Sequence, residues 1–241
     1  MTGTPKSRSI VVIPTYNERA NLEAMVPRLQ VLGIPGLQLL VVDDNSPDGT
    51  GGLAGELAAR DPDFVSVIHR PGKLGMGTAY VEGFQRALDQ GADFVISMDA
   101  DFSHSPEKLP VLIEKCGEYD VAIDSRFAPG GSLDERWGIT RRVLSRGGNS
   151  YARLVTGLPL HDLTGGYKCY RRKVLETINL GSLKSSGFVF QVEINYACHR
   201  HGFRLVEVPI HFAERSHGES KMSLKIIWEA FWRVLELRTR Y

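Results

Sequence analysis

"ADFVISMDADFSHSPEKLPVLIEKCG" (residues 92–117) is the stretch on which the fold turns. Its first part, Phe94 to Met98, is a short apolar run of the kind that forms a strand buried on both faces. Asp99 and Asp101 follow at once. Ser105 then offers an N-cap with Pro106 at the first helical position, and residues 105–117 read as a helix. Side chains alternate across a strand, so Asp99 and Asp101 share a face and their carboxylates converge at its end. Like charges held that close repel unless a cation lies between them or one carboxyl is protonated. Taken alone, an Asp-x-Asp in this position reads more readily as a solvated loop carrying a cap. The surrounding sequence reverses that preference.

Four further apolar runs read as strands: "RSIVVIP" (8–14), "LQLLVVDD" (37–44), "FVSVIHR" (64–70) and "YDVAIDSR" (119–126). Helical stretches alternate with them. Leu22, Met25, Val26 and Leu29 fall at i, i+3, i+4 and i+7, with Pro27 inside the pattern predicting a kink or an early end. Residues 48–60 and 77–91 supply two more helices. This alternation predicts an α/β fold, a mostly parallel sheet flanked by helices on both faces. Ligands of such sheets lie beyond the carboxyl ends of the strands. Pro14–Glu18, Asp43–Asp44, Asp99–Asp101 and Ser125–Arg126 all fall at that edge. Past residue 126 the pattern loosens. "FAPGGSLDERWGITRR" (127–142) reads as a mobile Gly-rich loop, followed by a helix (142–156), the turn "HDLTGGYK" (161–168), a helix (188–201) and a strand (203–212). There is no repeat or linker, so a single domain is expected.

At 241 residues, 42% apolar and 24% charged, the composition is that of an ordinary globular protein. No apolar run reaches the ~18 residues a transmembrane helix needs. "MTGTPKSRSIVVIP" reads as a tail and a strand rather than a secretory signal. Three scattered cysteines, Cys116, Cys169 and Cys198, suit a reducing compartment and no zinc site. Net charge is +1, unevenly spread: residues 1–125 hold ten Lys/Arg against eighteen Asp/Glu, and residues 126–173 hold ten against three. An acidic first half and a basic middle suggest a metal-binding side and an anion-binding side. No stacking-aromatic or recognition-helix pattern accompanies the arginines, so nucleic acid is not an expected partner. His199 and His201 do not share a helix face, and no zinc spacing links His104, His161 and His217.

Eight segments in order, "PTYNE" (14–18), "VVDDNSPDGT" (41–50), "MDADFSHSP" (98–106), "DSRF" (124–127), "RRVLSRGGN" (141–149), "DLTGGYKCYRR" (162–172), "GFVFQVE" (187–193) and "RSHGESKM" (215–222), resemble the polyprenyl-phosphate sugar synthases, with the nearest likeness to the dolichyl-phosphate mannose synthases. The resemblance covers about residues 8–225 and implies a GT-A (Rossmann-like) fold, inverting glycosyl transfer, GDP-mannose as donor, Mg2+ or Mn2+, and a polyprenyl phosphate acceptor at a membrane surface. It divides the domain into a nucleotide-sugar and metal half (8–126), an acceptor half (127–221) and a C-terminal amphipathic helix (222–241). Residue by residue it implies Asp101 as the metal ligand with Asp99 beside it facing the donor, and Asp99, Asp101 and Arg215 as the catalytic set. Pro14, Tyr16, Glu18 and Asp44 would form the nucleotide pocket, and Lys221 would reach the diphosphate. Arg126 and Arg141 match acceptor-phosphate positions, and Ser145 lies one helical turn from Arg141. Ser103 stands where some relatives place a metal-binding glutamine, which leaves a third protein ligand open.

The chemistry fits these residues. A hard cation on carboxylate oxygens neutralises a departing diphosphate without proton transfer. Arginine presents a planar fork suited to phosphate. No dedicated base is apparent, and none is needed: a phosphate monoester, with its second pKa at about 6, is already an anion near neutrality. Asp43 and Asp44 point to opposite faces, so one of them caps "NSPDGT". "KLGMGT" (73–78) lacks the Rossmann glycine spacing and reads as a backbone-defined turn near the donor. Two alternatives stand beside mannosyl transfer: a hexosyltransferase using UDP-glucose or another UDP-sugar, and a non-catalytic nucleotide-sugar or phospholipid-binding module. At the C-terminus, Leu224, Ile227, Trp228, Phe231 and Leu235 fall at helical spacing. That helix is either core or interfacial, with tryptophans at headgroup depth and Arg238 and Arg240 near anionic lipid. The expected location is cytoplasmic, at the cytoplasmic face of a membrane, with a membrane-embedded partner subunit standing in for the transmembrane helices some relatives carry.

Overall fold

In the computed structural model, residues 7–185, 187–213 and 224–240 are described. Strands β1 (Ser9–Thr15), β2 (Leu37–Asp43), β3 (Val65–His69), β4 (Phe94–Ser97), β5 (Val121–Ser125), β7 (Lys168–Arg171) and β8 (Leu205–Pro209) form a seven-stranded sheet in the order β3-β2-β1-β4-β7-β5-β8. Every pairing is parallel except those of β7 with β4 and β5. β6 (Ser132–Leu133) and β9 (His211–Phe212) make a small second ladder. The helices are α1 (Arg19–Val31), α2 (Thr50–Arg60), α3 (Met76–Asp89), α4 (Leu109–Glu118), α5 (Ile139–Thr156), α6 (Arg172–Thr177), α7 (Gly187–Arg200) and α8 (Leu224–Arg240).

The central strands are apolar on both faces because both are covered. Val11, Ile13, Leu39 and Val41 pack with Leu22 and Met25 of α1, Leu53 of α2 and Leu112 of α4. Ile10, Val12, Leu40 and Val42 point the other way, toward Tyr80 and Phe84 of α3, Val155 of α5, Phe190 of α7 and Val234 of α8. Residues i and i+2 thus serve one layer and i+1 the other, as strand alternation requires. The crossover helices leave the carboxyl ends of β1, β2 and β4 along one edge, which is where the acidic turns lie.

Several local expectations need correction. α1 does not end early at Pro27 but continues to Val31; the proline is on the exposed side, where the carbonyl it leaves unpaired can meet water. The segment after 161 is more than a turn, for Lys168–Arg171 enters the sheet between β4 and β5. Four residues with a lysine among them give too short a periodic signal to read as a strand. The expected strand 203–212 divides into β8 and β9. The 127–142 loop is anchored rather than mobile: β6 pairs with β9, and Trp137 is buried against Ile210 and Phe212.

α8 packs on α5 and α7. Its inward stripe is Ala230, Val234 and Leu237, with Leu235 at the margin. Trp228 and Trp232 face outward, 65% and 51% exposed. The helix is therefore core on one side and aromatic on the open side. Arg240 is turned toward Glu193 and Glu236, so of the two arginines expected near lipid this one is engaged by protein carboxylates. No helix among the described residues is long and apolar enough to cross a membrane.

Candidate active site

β4 ends at Ser97 and the acidic turn follows. Asp101 is buried, its Oδ1 accepting from the Ser103 backbone N–H at 3.0 Å and from Ser103 Oγ at 2.6 Å. Between them Phe102 has φ 58°, a left-handed conformation costly for an aromatic residue. Ser103 thus orients Asp101. Asp99 lies across the turn; Tyr80 Oη donates to its Oδ1 at 3.0 Å. His104 sits between two carboxylates, Nδ1 2.8 Å from Asp124 Oδ2 and Nε2 3.8 Å from Asp99 Oδ2. The Asp124 contact is ionic rather than an aligned hydrogen bond. Burial alone would lower the His104 pKa, but Asp124 and then Asp99 outweigh it and raise it to about 10.

Two glycines shape the floor. A Cβ on Gly165 would stand 2.7 Å from Asp124 Oδ1 and 2.8 Å from its carbonyl oxygen, so only glycine fits. A Cβ on Gly166 would lie 3.3 Å from Asp99 Oδ2, so its absence keeps space open beside that carboxylate. Two residues further on is Lys168, fully buried, whose Nζ donates to the Gln191 main-chain oxygen at 3.0 Å and to Gln191 Oε1 at 2.8 Å. Burial pushes the Lys168 pKa down to about 7.

On the nucleotide side, the ends of β1 and β2 are adjacent. Asp43 accepts from Thr15 Oγ1 and from the Ser46 backbone N–H at 3.0 Å each, so Asp43 is the capping member of its pair. Asp44 forms a buried ion pair with Arg70 and accepts from the backbone N–H groups of Leu74 and Gly75 at 3.2 and 3.0 Å. It holds the 73–75 turn, and Lys73 Nζ then lies 3.9 Å from the centre of the Tyr16 ring. Asp44, expected at the nucleotide pocket, thus braces that turn. Glu18 accepts from Asn21 at 2.6 Å, and Pro14 is the penultimate residue of β1, in register with Val42 of β2.

On the basic side, Arg126 is paired within the fold. Its guanidinium forms a bidentate pair with Asp162, Nε–Oδ2 2.6 Å and Nη2–Oδ1 2.8 Å, and also donates to Thr164. Both side chains are buried, 9% and 0% exposed. Burial would raise the Asp162 pKa, yet Arg126 holds it below the ordinary carboxyl value. A fork so engaged orders the 162–164 turn. Arg141 lies over Trp137, 3.7 Å from the ring centre, on the same α5 face as half-buried Ser145. Trp137 packs edge-on to Phe212, and Phe212 edge-on to His104. This aromatic chain ties the cationic helix to the carboxylate cluster. Arg215, Lys221 and His217 lie outside the described residues.

Tyr80, Asp124, Lys168 and Gln191 were not singled out by sequence reasoning, and His104 was set aside. Lys168 and Gln191 reach the cluster through β7 and α7, Tyr80 through α3 and Asp124 through β5. Among the described residues no three His, Cys, Asp or Glu side chains form a ready cation cage. The acidic turn instead offers two carboxylates, Asp99 and Asp101, hard-oxygen donors of the kind that Mg2+ or Mn2+ completes with water and substrate phosphates.

The profile described as glycosyl transferase family 2 matches residues 10–178. The chain is 48% identical over 236 residues to a polyprenol monophosphomannose synthase of Mycolicibacterium smegmatis, covering 98% of this chain and 88% of that protein. It is 46% identical to an undecaprenyl-phosphate mannosyltransferase of Micrococcus luteus, covering 92% and 90%. Among solved structures, a mannosyltransferase of Pyrobaculum calidifontis in complex with GDP-Man and Mn2+ superposes with a TM-score of 0.61 over 97% of this chain and 70% of that one. At 17% identity, that likeness speaks for the fold alone.

Proposed function

The chain belongs to glycosyl transferase family 2, and from that premise we propose that it transfers mannose, with inversion, from GDP-mannose to a polyprenyl monophosphate. The observation that carries the reading is the acidic turn itself. Asp99 and Asp101 stand at a carboxyl-end edge, each oriented by its own hydroxyl donor, and an aromatic chain links them to Arg141. The named activities of the relatives at 48% and 46% identity support the choice of sugar and acceptor.

This reading divides the labour among the residues of the site. Tyr16, Glu18 and the turn pinned by Asp44 receive the nucleotide. Asp101 and Asp99 would hold a divalent cation, which when bound supplies counter-charge to the diphosphate leaving group. Ser103 and Tyr80 fix those carboxylates before substrate arrives, so little reorganisation remains for the reaction. Arg141 and Ser145 meet the acceptor phosphate, whose oxygen is already anionic and attacks the anomeric carbon from the side opposite the diphosphate. Arg126 takes a positioning role through Asp162. Arg215 and Lys221 keep the catalytic and diphosphate roles that the sequence resemblance implies. The outward Trp228, Phe231 and Trp232 meet the membrane interface that carries the lipid. The polar side of α8 has both charge signs, so a membrane-embedded partner subunit would add what electrostatic attraction does not.

The test is transfer of radiolabelled mannose from GDP-mannose to a short polyprenyl phosphate, with Mg2+ or Mn2+ and with EDTA. UDP-glucose runs in parallel. Transfer from GDP-mannose that EDTA stops is the expected result. Transfer from UDP-glucose alone would assign a glucosyltransferase, and binding of sugar nucleotide without transfer would leave only a binding module.

A further inference from the structure

Gln191 lies on α7 and is 2% exposed. Lys168 decides which way its amide points. Its Nζ stands 2.8 Å from the carbonyl oxygen Oε1 and donates to it, so the Nε2 amide group faces away. Nε2 finds no acceptor among the described residues. A buried amide N–H without a partner costs about 1–3 kcal/mol, which leaves it poised for a ligand. It lies beside Gly166, whose missing Cβ leaves a small gap there. A Cβ there would stand 3.6 Å from Gln191 Nε2 and 3.3 Å from Asp99 Oδ2. The amide and the carboxylate do not bond each other, yet both flank one point. A donor and an acceptor so placed are complementary to a hydroxyl, which accepts from the first and donates to the second. They suit a phosphate oxygen poorly, because Asp99 would repel it.

We propose that Gln191, held by Lys168, presents its amide N–H to a hydroxyl of the hexose being transferred, with Asp99 on that hydroxyl's other side, making Gln191 a sugar-recognising residue at the floor of the site. The inference rests on the nucleotide-sugar reading above. Lys168 is a positioning residue, because it acts through Gln191. Gly166 belongs to the same device by leaving the hydroxyl its room.

The experiment is calorimetric binding of GDP and of GDP-mannose, each with Mn2+, to the full chain. Gln191→Met removes the N–H at similar volume. Gln191→Glu removes it while keeping an acceptor for Lys168. GDP-mannose affinity should fall roughly three- to tenfold, the worth of one neutral hydrogen bond, with GDP affinity unchanged. A deoxy-mannose donor lacking the recognised hydroxyl should bind wild type and Gln191→Met alike. Unchanged GDP-mannose affinity, or equal losses for GDP and GDP-mannose in both variants, overturns the inference. If Gln191→Met melts below wild type and loses both ligands, Gln191→Glu decides by the same criterion. Wild type binding neither ligand would remove the nucleotide-sugar reading itself, and the inference with it.

Discussion

Replacing Arg126 by methionine separates two roles that predict different numbers. In the structure its guanidinium forms a bidentate pair with Asp162, both side chains almost wholly out of water. Removing the cation leaves a buried carboxylate with its principal charge partner gone, though the Thr164 hydroxyl and backbone N–H still reach it. Losing one partner of a buried pair typically costs about 3–5 kcal/mol. For a domain of this size each kcal/mol shifts the melting temperature by about 2–4 °C, so Arg126→Met should melt roughly 6–20 °C lower. Arg126→Met with Asp162→Leu removes both charges and should recover much of that loss. The pH dependence has a definite sign. The Asp162 carboxyl is held below 3.8 in the folded state, so its contribution is present above that value and lost as pH falls through the depressed pKa. Differential scanning calorimetry of wild type, single and double variants measures these shifts, and initial rates against polyprenyl phosphate concentration accompany it. The double variant should keep an acceptor KM within about threefold of wild type. A single variant of wild-type stability whose acceptor KM rises ten- to a hundredfold would refute the argument and return Arg126 to the acceptor phosphate.

Asp101→Ala should lower turnover at least about a thousandfold while the circular dichroism spectrum and melting hold, because the residue orients charge at a turn rather than supporting the core; near-normal turnover with Mg2+ or Mn2+ would contradict its assignment. Arg141→Ala should weaken acceptor use about ten- to a hundredfold and leave GDP-mannose binding unchanged, and equal losses on both sides would remove it from the acceptor surface. Trp228→Ser with Trp232→Ser should reduce co-sedimentation with anionic vesicles while leaving the melting temperature within a few degrees, since both rings are exposed; undiminished co-sedimentation would place the lipid contact elsewhere. Wild type should gain stability relative to Lys168→Met as pH rises from about 7 toward 10.5, because over that interval the unfolded chain holds the Lys168 proton and the folded one does not; chemical denaturation at stepped pH reads the slope, and parallel curves would mean the lysine stays charged when buried.

By itself, the sequence determined the layered α/β architecture, because strands buried on both faces must be continuously apolar and the helices between them must show a one-sided stripe. It placed the acidic turn too: Asp99 and Asp101 follow the end of β4 within four residues, so chain order alone puts them at that edge. The pairing of α5 residues Arg141 and Ser145 was legible for the same reason. What the sequence left open depended on contacts between distant segments. Arg126 and Asp162 meet across 36 positions, and no periodicity announces that a cation suited to phosphate is already engaged by a carboxylate. Lys168 and Gln191, 23 positions apart, became parts of one site only when β7 ran antiparallel between β4 and β5 and α7 packed over it. α8 was decided the same way. Its sequence allowed more than one apolar stripe, and packing against α5 and α7 selected Ala230, Val234 and Leu237 for burial and turned the tryptophans outward. Periodicity reports which residues share a face of one element; which partner that face meets, and which charges are thereby neutralised, is settled when the elements pack.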